Sequence, residues 1–139
     1  MNDKQFMKGI CLCGSVTIQA PMKQDIGACH CSMCRRWGGG PLFAVHCGAG
    51  VTISGTEHIT VFDSSDWAER AFCSKCGTHL YYRFKPTDEH IVPAGFFQDQ
   101  GEFNFTEQIF VDGKPAYYDF ANKTAMLTEA EVLAKYAPE

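Results

Sequence analysis

The chain lacks three features that would assign it at once to a large class of proteins. No apolar run approaches the roughly 20 residues that a membrane-spanning helix requires. Its 12 Lys and Arg residues are outnumbered by 16 Asp and Glu, so there is no basic excess for binding a phosphate backbone. Residues 1–8 contain no apolar segment typical of a secretion signal. These absences predict a cytoplasmic protein that binds neither membranes nor nucleic acids.

The chain also lacks internal repeats, low-complexity tracts and linkers, which predicts a single domain over residues 1–139. Hydrophobic residues make up 45% of it, enough to build a core. Short β-rich runs separated by Gly, Ser and Thr predict a mainly β fold. The predicted strands cover residues 16–18, 42–45, 51–53, 59–62, 69–73, 80–84, 91–92 and 108–111.

Helix signals are few. One turn is predicted over residues 32–37, where the glycines at 38–40 would stop it. A C-terminal helix is predicted over residues 128–136, because Thr128 and Glu131 have the spacing of a capping box. Its apolar face is predicted to carry Val132, Leu133 and Tyr136.

Cysteine, in contrast, is abundant. Seven of the eight cysteines fall in three short motifs, Cys11-x-Cys13, Cys29-x-Cys31-x-x-Cys34 and Cys73-x-x-Cys76. Disulfides are one interpretation, but the chain shows no export signal and Cys-x-Cys neighbours pair poorly. A thiol redox protein is another, although the βαβ pattern expected around a redox Cys-x-x-Cys is absent from the sequence. Thiolates at such short spacings favour zinc sites.

The spacing divides the ligands into four and three. Cys11 and Cys13 together with Cys73 and Cys76 would form a closed structural site that ties the N-terminal strand to the middle of the chain. The motif of Cys29, Cys31 and Cys34 supplies only three ligands, which leaves a position open as in catalytic sites. The alternative is that both sites are structural. Candidates for a fourth ligand are His46, Cys47 and His79, whereas His30, between two ligands, is expected to point away.

The residues after the three-cysteine motif suggest how a substrate could bind. Arg35 and Arg36 are candidates for binding the carboxylates of an anionic thiol, and Gly39 and Gly40 would allow close approach to the backbone. A solvated charged face and a flexible loop are the alternatives. Three thiolates on Zn²⁺ sum to −1, so the metal would be a weak Lewis acid. It is better suited to holding a nucleophilic thiolate than to making hydroxide.

Together the motifs resemble the glutathione-dependent formaldehyde-activating enzyme family, which shares its domain with centromere protein V. The resemblance covers about residues 6–120, and it departs at Tyr117-Tyr118, where a Trp-containing segment is expected. The matching stretches are residues 9–16 (GICLCGSV), 29–35 (CHCSMCR), 72–80 (FCSKCGTHL), 92–95 (VPAG) and 108–115 (QIFVDGKP).

The resemblance implies a zinc-stabilised β-tent of small antiparallel sheets with up to two zinc ions per chain. It implies a structural zinc at Cys11, Cys13, Cys73 and Cys76, and a catalytic zinc at Cys29, Cys31 and Cys34. The implied reaction joins a small thiol, glutathione, to formaldehyde and is classed as a carbon–sulfur lyase activity. The competing hypothesis is a non-catalytic zinc-stabilised protein-interaction module.

Overall fold

A computed structural model of the chain describes residues 6–97 and 103–136. The described part contains eleven strands and two α-helices, joined by turns and short 3₁₀ segments. In chain order they are β1 (Phe6–Ile10), β2 (Thr17–Pro21), β3 (Asp25–Cys29), α1 (Ser32–Gly38), β4 (Leu42–Gly48), β5 (Thr52–Ser54), β6 (Ile59–Asp63), β7 (Ala68–Cys73), β8 (His79–Phe84), β9 (Glu89–Pro93), β10 (Asn104–Ile109), β11 (Ala125–Leu127) and α2 (Glu129–Tyr136). Neither helix is long and apolar enough to cross a membrane.

The chain divides into two compact units, and each is assembled from separate stretches of sequence. The four-cysteine unit comprises residues 1–24 and 45–103, and the three-cysteine unit comprises residues 25–44 and 104–139. Each unit takes its name from the cysteine motifs that it contains. Strand β4 begins in the second unit and ends in the first.

The four-cysteine unit contains two sets of antiparallel strands. One has the order β1-β2-β5, and the other is the meander β6-β7-β8-β9. Strands β1 and β2 bury every second residue, as the period of a strand with one solvated face requires. The core of this unit includes the fully buried side chains of Met7, Val16, Ile18, Val45, Leu80, Val92 and Phe97.

The three-cysteine unit is built around β10. Its strand order is β11-β10-β3-β4, in which β10 runs parallel to both β3 and β11 while β3 and β4 are antiparallel. Three aromatic rings, those of Phe43, Phe105 and Phe120, pack edge to face with centroids 5.1 to 5.8 Å apart. This geometry suits the ring quadrupoles.

The predicted mainly β fold, with small antiparallel sheets and a short C-terminal helix, is confirmed. Every predicted run overlaps a strand, although residues 108–111 extend past the end of β10. Strands β1, β3 and β11 were not predicted. The sequences of β1 and β3, FMKGI and DIGAC, contain Gly with Lys or Asp, and β11 is only the three residues AML, so none of them shows a clear two-residue alternation.

Both helices form where the sequence predicts them. Glycine ends α1 as expected, and the capping box of α2 is present: Thr128 N–H donates to Glu131 Oε1 at 2.7 Å and Glu131 N–H donates to Thr128 Oγ1 at 3.2 Å. The predicted apolar face is wrong at Leu133, which is 53% exposed. It lies about 100° around the helix from buried Val132, and this short helix buries only one of the two positions. The side chain of Tyr136 lies outside the described part.

Gly9 in β1 is a position where a side chain has no room. An added Cβ would lie 2.3 Å from the Phe96 carbonyl oxygen and 2.4 Å from its ring. We predict that Gly9→Ala lowers the free energy of unfolding by about 3 kcal/mol, the upper end of overpacking costs, as measured by chemical denaturation. At Gly95 the added methyl meets nothing within 4 Å, so Gly95→Ala is the control, with an expected change below about 0.5 kcal/mol. Equal losses in the two variants would contradict the prediction.

Candidate metal centres

Four cysteine sulfurs converge in the four-cysteine unit. All four, from Cys11, Cys13, Cys73 and Cys76, lie within 4.8 Å of one another. Cys13 Sγ is 3.7 Å from both Cys11 Sγ and Cys73 Sγ. Zinc–sulfur bonds of about 2.3 Å in tetrahedral geometry would separate the sulfurs by about 3.8 Å. This group can therefore hold a zinc ion.

Two tight turns present these sulfurs. In the first, Gly14 N–H donates to Cys11 O at 3.0 Å, and in the second Gly77 N–H donates to Cys73 O at 2.8 Å. Gly14 and Gly77 have φ of 85° and 79°, in the left-handed region that favours glycine. The second turn joins β7 to β8, as the sequence predicts.

Polar neighbours stabilise the thiolate form of some of these cysteines. The Thr78 hydroxyl lies 3.2 Å from Cys76 Sγ, and its hydrogen bond lowers the pKa of Cys76 to about 5. The same hydroxyl oxygen accepts the Leu12 N–H at 3.2 Å, which links the two turns. Burial raises the pKa of Cys73. That buried sulfur therefore becomes a thiolate readily only when a cation is bound beside it.

The second group consists of three sulfurs, those of Cys29, Cys31 and Cys34, which also lie within 4.8 Å of one another. Cys29 ends β3, Cys31 caps α1, and Cys34 lies in the first turn of that helix. The Cys34 N–H donates to Cys31 Sγ at 3.4 Å. Hydrogen bonding with Cys29 and Cys34 lowers the pKa of Cys31 to about 2. The same interactions stabilise the protonated thiol of Cys29 and raise its pKa.

This arrangement fits a metal site, because three sulfurs within 4.8 Å of one another can bind one cation, which would displace their thiol protons. Three protein ligands leave one tetrahedral position for an external ligand. Cys29 and Cys34 are buried and Cys31 is half-buried.

His30 points away from the group, as expected. Its ring is fully buried, with Nδ1 2.7 Å from Tyr118 Oη and Nε2 2.8 Å from Gln108 Oε1. Both ring nitrogens are thus occupied, so His30 is not a ligand here. Burial lowers the pKa of its imidazole.

The four candidate substrate-binding residues have different environments. The Arg35 side chain is half-buried, and its Nε–H donates to the His30 carbonyl at 2.9 Å. Arg36 is exposed. Gly39 has φ of 88° and ends α1 through its N–H bond to Arg35 O, whereas an added Cβ at Gly40 would meet nothing within 4 Å. Arg35 is therefore the residue that the fold holds in a defined position beside the cysteine loop.

None of the three candidate fourth ligands joins a group of three or more potential metal ligands within residues 6–97 and 103–136. His46 Nδ1 lies 3.4 Å from Glu89 Oε2. The Cys47 thiol is buried and donates to Val45 O at 3.6 Å, and burial raises its pKa to about 12. Cys47 therefore remains a protonated thiol at neutral pH.

Sequence reasoning missed the polar residues that surround His30. Gln108 is buried in β10, and Tyr118 was noted only as a departure from the expected Trp-containing segment. Lys114 Nζ donates to the carbonyl oxygens of Pro115 and Tyr118 and pairs with Asp119 at 2.7 Å. The only available signal was His30 itself, a histidine placed between two metal ligands with its side chain directed elsewhere.

Comparison with known proteins identifies the family. The family model described as glutathione-dependent formaldehyde-activating enzyme matches residues 6–113. The chain belongs to this family. The resemblance seen in its cysteine motifs is thereby confirmed.

One relative matches more of the chain than the family model does. A Schizosaccharomyces pombe protein named as an uncharacterized lyase is 36% identical over 128 residues, which cover 91% of this chain and 93% of that protein. A Halomonas elongata protein, named as a candidate glutathione-dependent formaldehyde-activating enzyme, is 28% identical over 55% of each chain. A crystal structure of a Rhodobacter sphaeroides protein is 28% identical, with a TM-score of 0.58, and covers 72% of this chain and 100% of that one.

We predict that the two cysteine groups fail differently when one ligand is removed. Cys73→Ser should lower the free energy of unfolding by more than about 3 kcal/mol, because it breaks a closed four-ligand site within a folded unit. Cys31→Ser should cost less than half of that, because its three ligands lie within six residues of one another. Thermal melts compare the stabilities of the two variants, and mass spectrometry measures their metal content. Equal destabilisation would indicate that both sites are structural.

Proposed function

We propose that the protein is a zinc-dependent carbon–sulfur lyase that interconverts a thiol and formaldehyde with the corresponding S-hydroxymethyl thiol, as in the synthesis of S-(hydroxymethyl)glutathione. The observation that carries this proposal is the convergence of three cysteine sulfurs, one short of a closed tetrahedral site. Family membership and the lyase name of the yeast relative support it. The eight free thiols suit the reducing cytoplasm, where we place the reaction.

The chemistry requires a thiolate at neutral pH, and a free thiol supplies little of it because its pKa lies near 8.5. Zinc held by Cys29, Cys31 and Cys34 would supply a cation that favours the thiolate form of a bound thiol. In the synthetic direction the thiol loses its proton and its sulfur lone pair forms the bond to the carbonyl carbon. The carbonyl oxygen then takes up a proton, so no oxidant or reductant is consumed.

The substrate is oriented by the chain itself. The guanidinium of Arg35 is fixed through Nε, and its two terminal nitrogens have no partner among the described residues. Such a fork matches a carboxylate. We therefore propose that Arg35 binds a carboxylate of the thiol and that Gly39 and Gly40 border the bound molecule, with exposed Arg36 contributing less.

A protein-interaction module is the second candidate function. The observation that favours it is the exposure of two aromatic residues in the four-cysteine unit: Phe62 of β6 is 63% exposed and Trp67, before β7, is 55% exposed. Exposed aromatic residues are enriched at protein interfaces. A role in protein binding for these two residues would not require a group of three cysteines with an open fourth position. The lyase proposal accounts for that group.

The decisive experiment is exchange spectroscopy with ¹³C-labelled formaldehyde and glutathione. Because the two react slowly without a catalyst, the readout is the increase in the exchange rate on adding zinc-loaded protein. We predict a clear acceleration that Cys31→Ser abolishes while the far-UV circular dichroism stays unchanged. If zinc-loaded protein accelerates exchange for neither glutathione nor other small thiols, the lyase proposal is wrong and the interaction module is favoured.

A second prediction concerns Arg35. Arg35→Lys keeps the positive charge but loses the planar pair of N–H donors that can bind a carboxylate bidentately. We therefore expect KM for glutathione to rise about tenfold, equivalent to about 1.4 kcal/mol. KM for 2-mercaptoethanol, which has no carboxylate, should stay within about twofold. The same substitution at Arg36 should have the smaller effect on glutathione. A larger effect at Arg36, or an equal effect on both thiols, would contradict the assignment.

A further inference from the structure

The imidazole of His30 is completely buried in the three-cysteine unit, directly between Cys29 and Cys31 in sequence. Its ring contacts Tyr118 Oη at 2.7 Å and Gln108 Oε1 at 2.8 Å, and its backbone N–H donates to Ile109 O at 3.1 Å. A buried polar ring is retained at low cost only when its hydrogen bonds are satisfied. Here both ring nitrogens and the backbone N–H are satisfied, although the metal group does not use the ring.

The donors in this network have a defined order. Gln108 Nε2 donates to Thr124 Oγ1 at 3.1 Å, so its Oε1 faces His30 and must accept from the ring. His30 Nε2 therefore carries the proton and Nδ1 accepts from the Tyr118 hydroxyl. The chain of hydrogen bonds fixes one neutral tautomer of His30 and one orientation of its ring.

Each partner of His30 is itself held in place. Gln108 lies in β10, whose parallel pairing with β3 sets Gln108 opposite Ala28 and Ile109 opposite Cys29. The Tyr118 carbonyl accepts from Lys114, and the Tyr118 ring packs against Phe120 with centroids 6.0 Å apart. Tyr118 and Thr124 lie beyond the residues that the family model matches.

We propose that Gln108 and Tyr118, acting through His30, are positioning residues for the metal loop formed by Cys29, Cys31 and Cys34. By fixing the residue between two ligands, the network orders the loop before a metal binds, so that less conformational entropy is lost on binding. The inference rests on the metal site of the proposed function, and it concerns metal affinity rather than turnover.

The test measures zinc dissociation constants of the full chain by competition with a chromophoric chelator. In Gln108→Leu the ring Nε2–H of His30 loses its acceptor, while a side chain of similar size remains at position 108. We expect zinc at the three-cysteine site to bind about 10- to 100-fold more weakly, the range found for residues that orient metal ligands. The four-cysteine site serves as the internal reference, and its affinity should not change. Cobalt substitution shows which site fills or empties at each stage of the titration, because the intensity of sulfur-to-metal charge transfer increases with the number of thiolate ligands.

Two further variants separate hydrogen bonding from packing. Gln108→Glu keeps an acceptor for the ring of His30, and the Thr124 hydroxyl can donate to the new carboxylate. Unlike Gln108→Leu, this variant should therefore bind zinc at the three-cysteine site within about threefold of the wild-type affinity. Tyr118→Phe keeps the ring but removes the donor to Nδ1, and should weaken the three-cysteine site. Tyr117→Phe, the same change at a 76% exposed neighbour, is the matched control.

Nitrogen NMR of the zinc-loaded wild type shows which ring nitrogen of His30 carries the proton. We expect the His30 spectrum of a neutral ring protonated at Nε2, and Tyr118→Phe should move the Nδ1 signal without changing the tautomer. The inference is overturned if His30 is protonated at Nδ1, if Gln108→Leu leaves the affinity of the three-cysteine site unchanged, if both sites weaken equally, or if Gln108→Glu fails to recover affinity. Absence of lyase activity in the same preparations would overturn the proposed function alone.

Discussion

The four-cysteine unit depends on bringing together sulfurs from two turns whose cysteines are 60 positions apart in sequence. Each turn is formed locally, through a glycine and two backbone hydrogen bonds. The convergence of the turns is not local, and it brings four cysteine sulfurs within 4.8 Å of one another, where thiolates would repel each other. A cation that binds them removes this repulsion and closes a long loop at the same time. Metal binding at this group would therefore be coupled to the folding of the unit.

The three-cysteine loop is ordered by a different means. Its ligands are neighbours in sequence, so closing the loop costs little, but a seven-residue helix and a short strand give it little rigidity of their own. Rigidity comes from a buried polar network whose members belong to β10 and to the segment that follows it. A strand that is parallel to β3 can place Gln108 opposite the residue before Cys29, which a local turn could not do. Long-range strand pairing thus supports a short-range cysteine motif that could bind a metal.

Features that depend on neighbouring residues were predictable from the sequence. The turn at Cys73 and Cys76, the capping box of Thr128 and Glu131, and the division of cysteines into two groups all follow from spacing. Features that depend on distant partners were not. Nothing in the sequence of β3 predicts that β10 lies parallel to it, and nothing marks Gln108 as the acceptor for His30. The exposure of Leu133 was also missed, because periodicity defines the apolar face of a short helix only to within about one residue.

Cys47 has a practical consequence for chemical labelling. Alkylating reagents attack the thiolate, and this buried thiol is almost fully protonated at neutral pH, in an environment that also restricts access. Modification of Cys47 would therefore report unfolding, whereas modification of the other seven cysteines would report loss of metal from the two proposed sites. Timed alkylation followed by peptide mass spectrometry can thus distinguish metal release at the three-cysteine group from unfolding of the four-cysteine unit, with Cys47 as the internal reference.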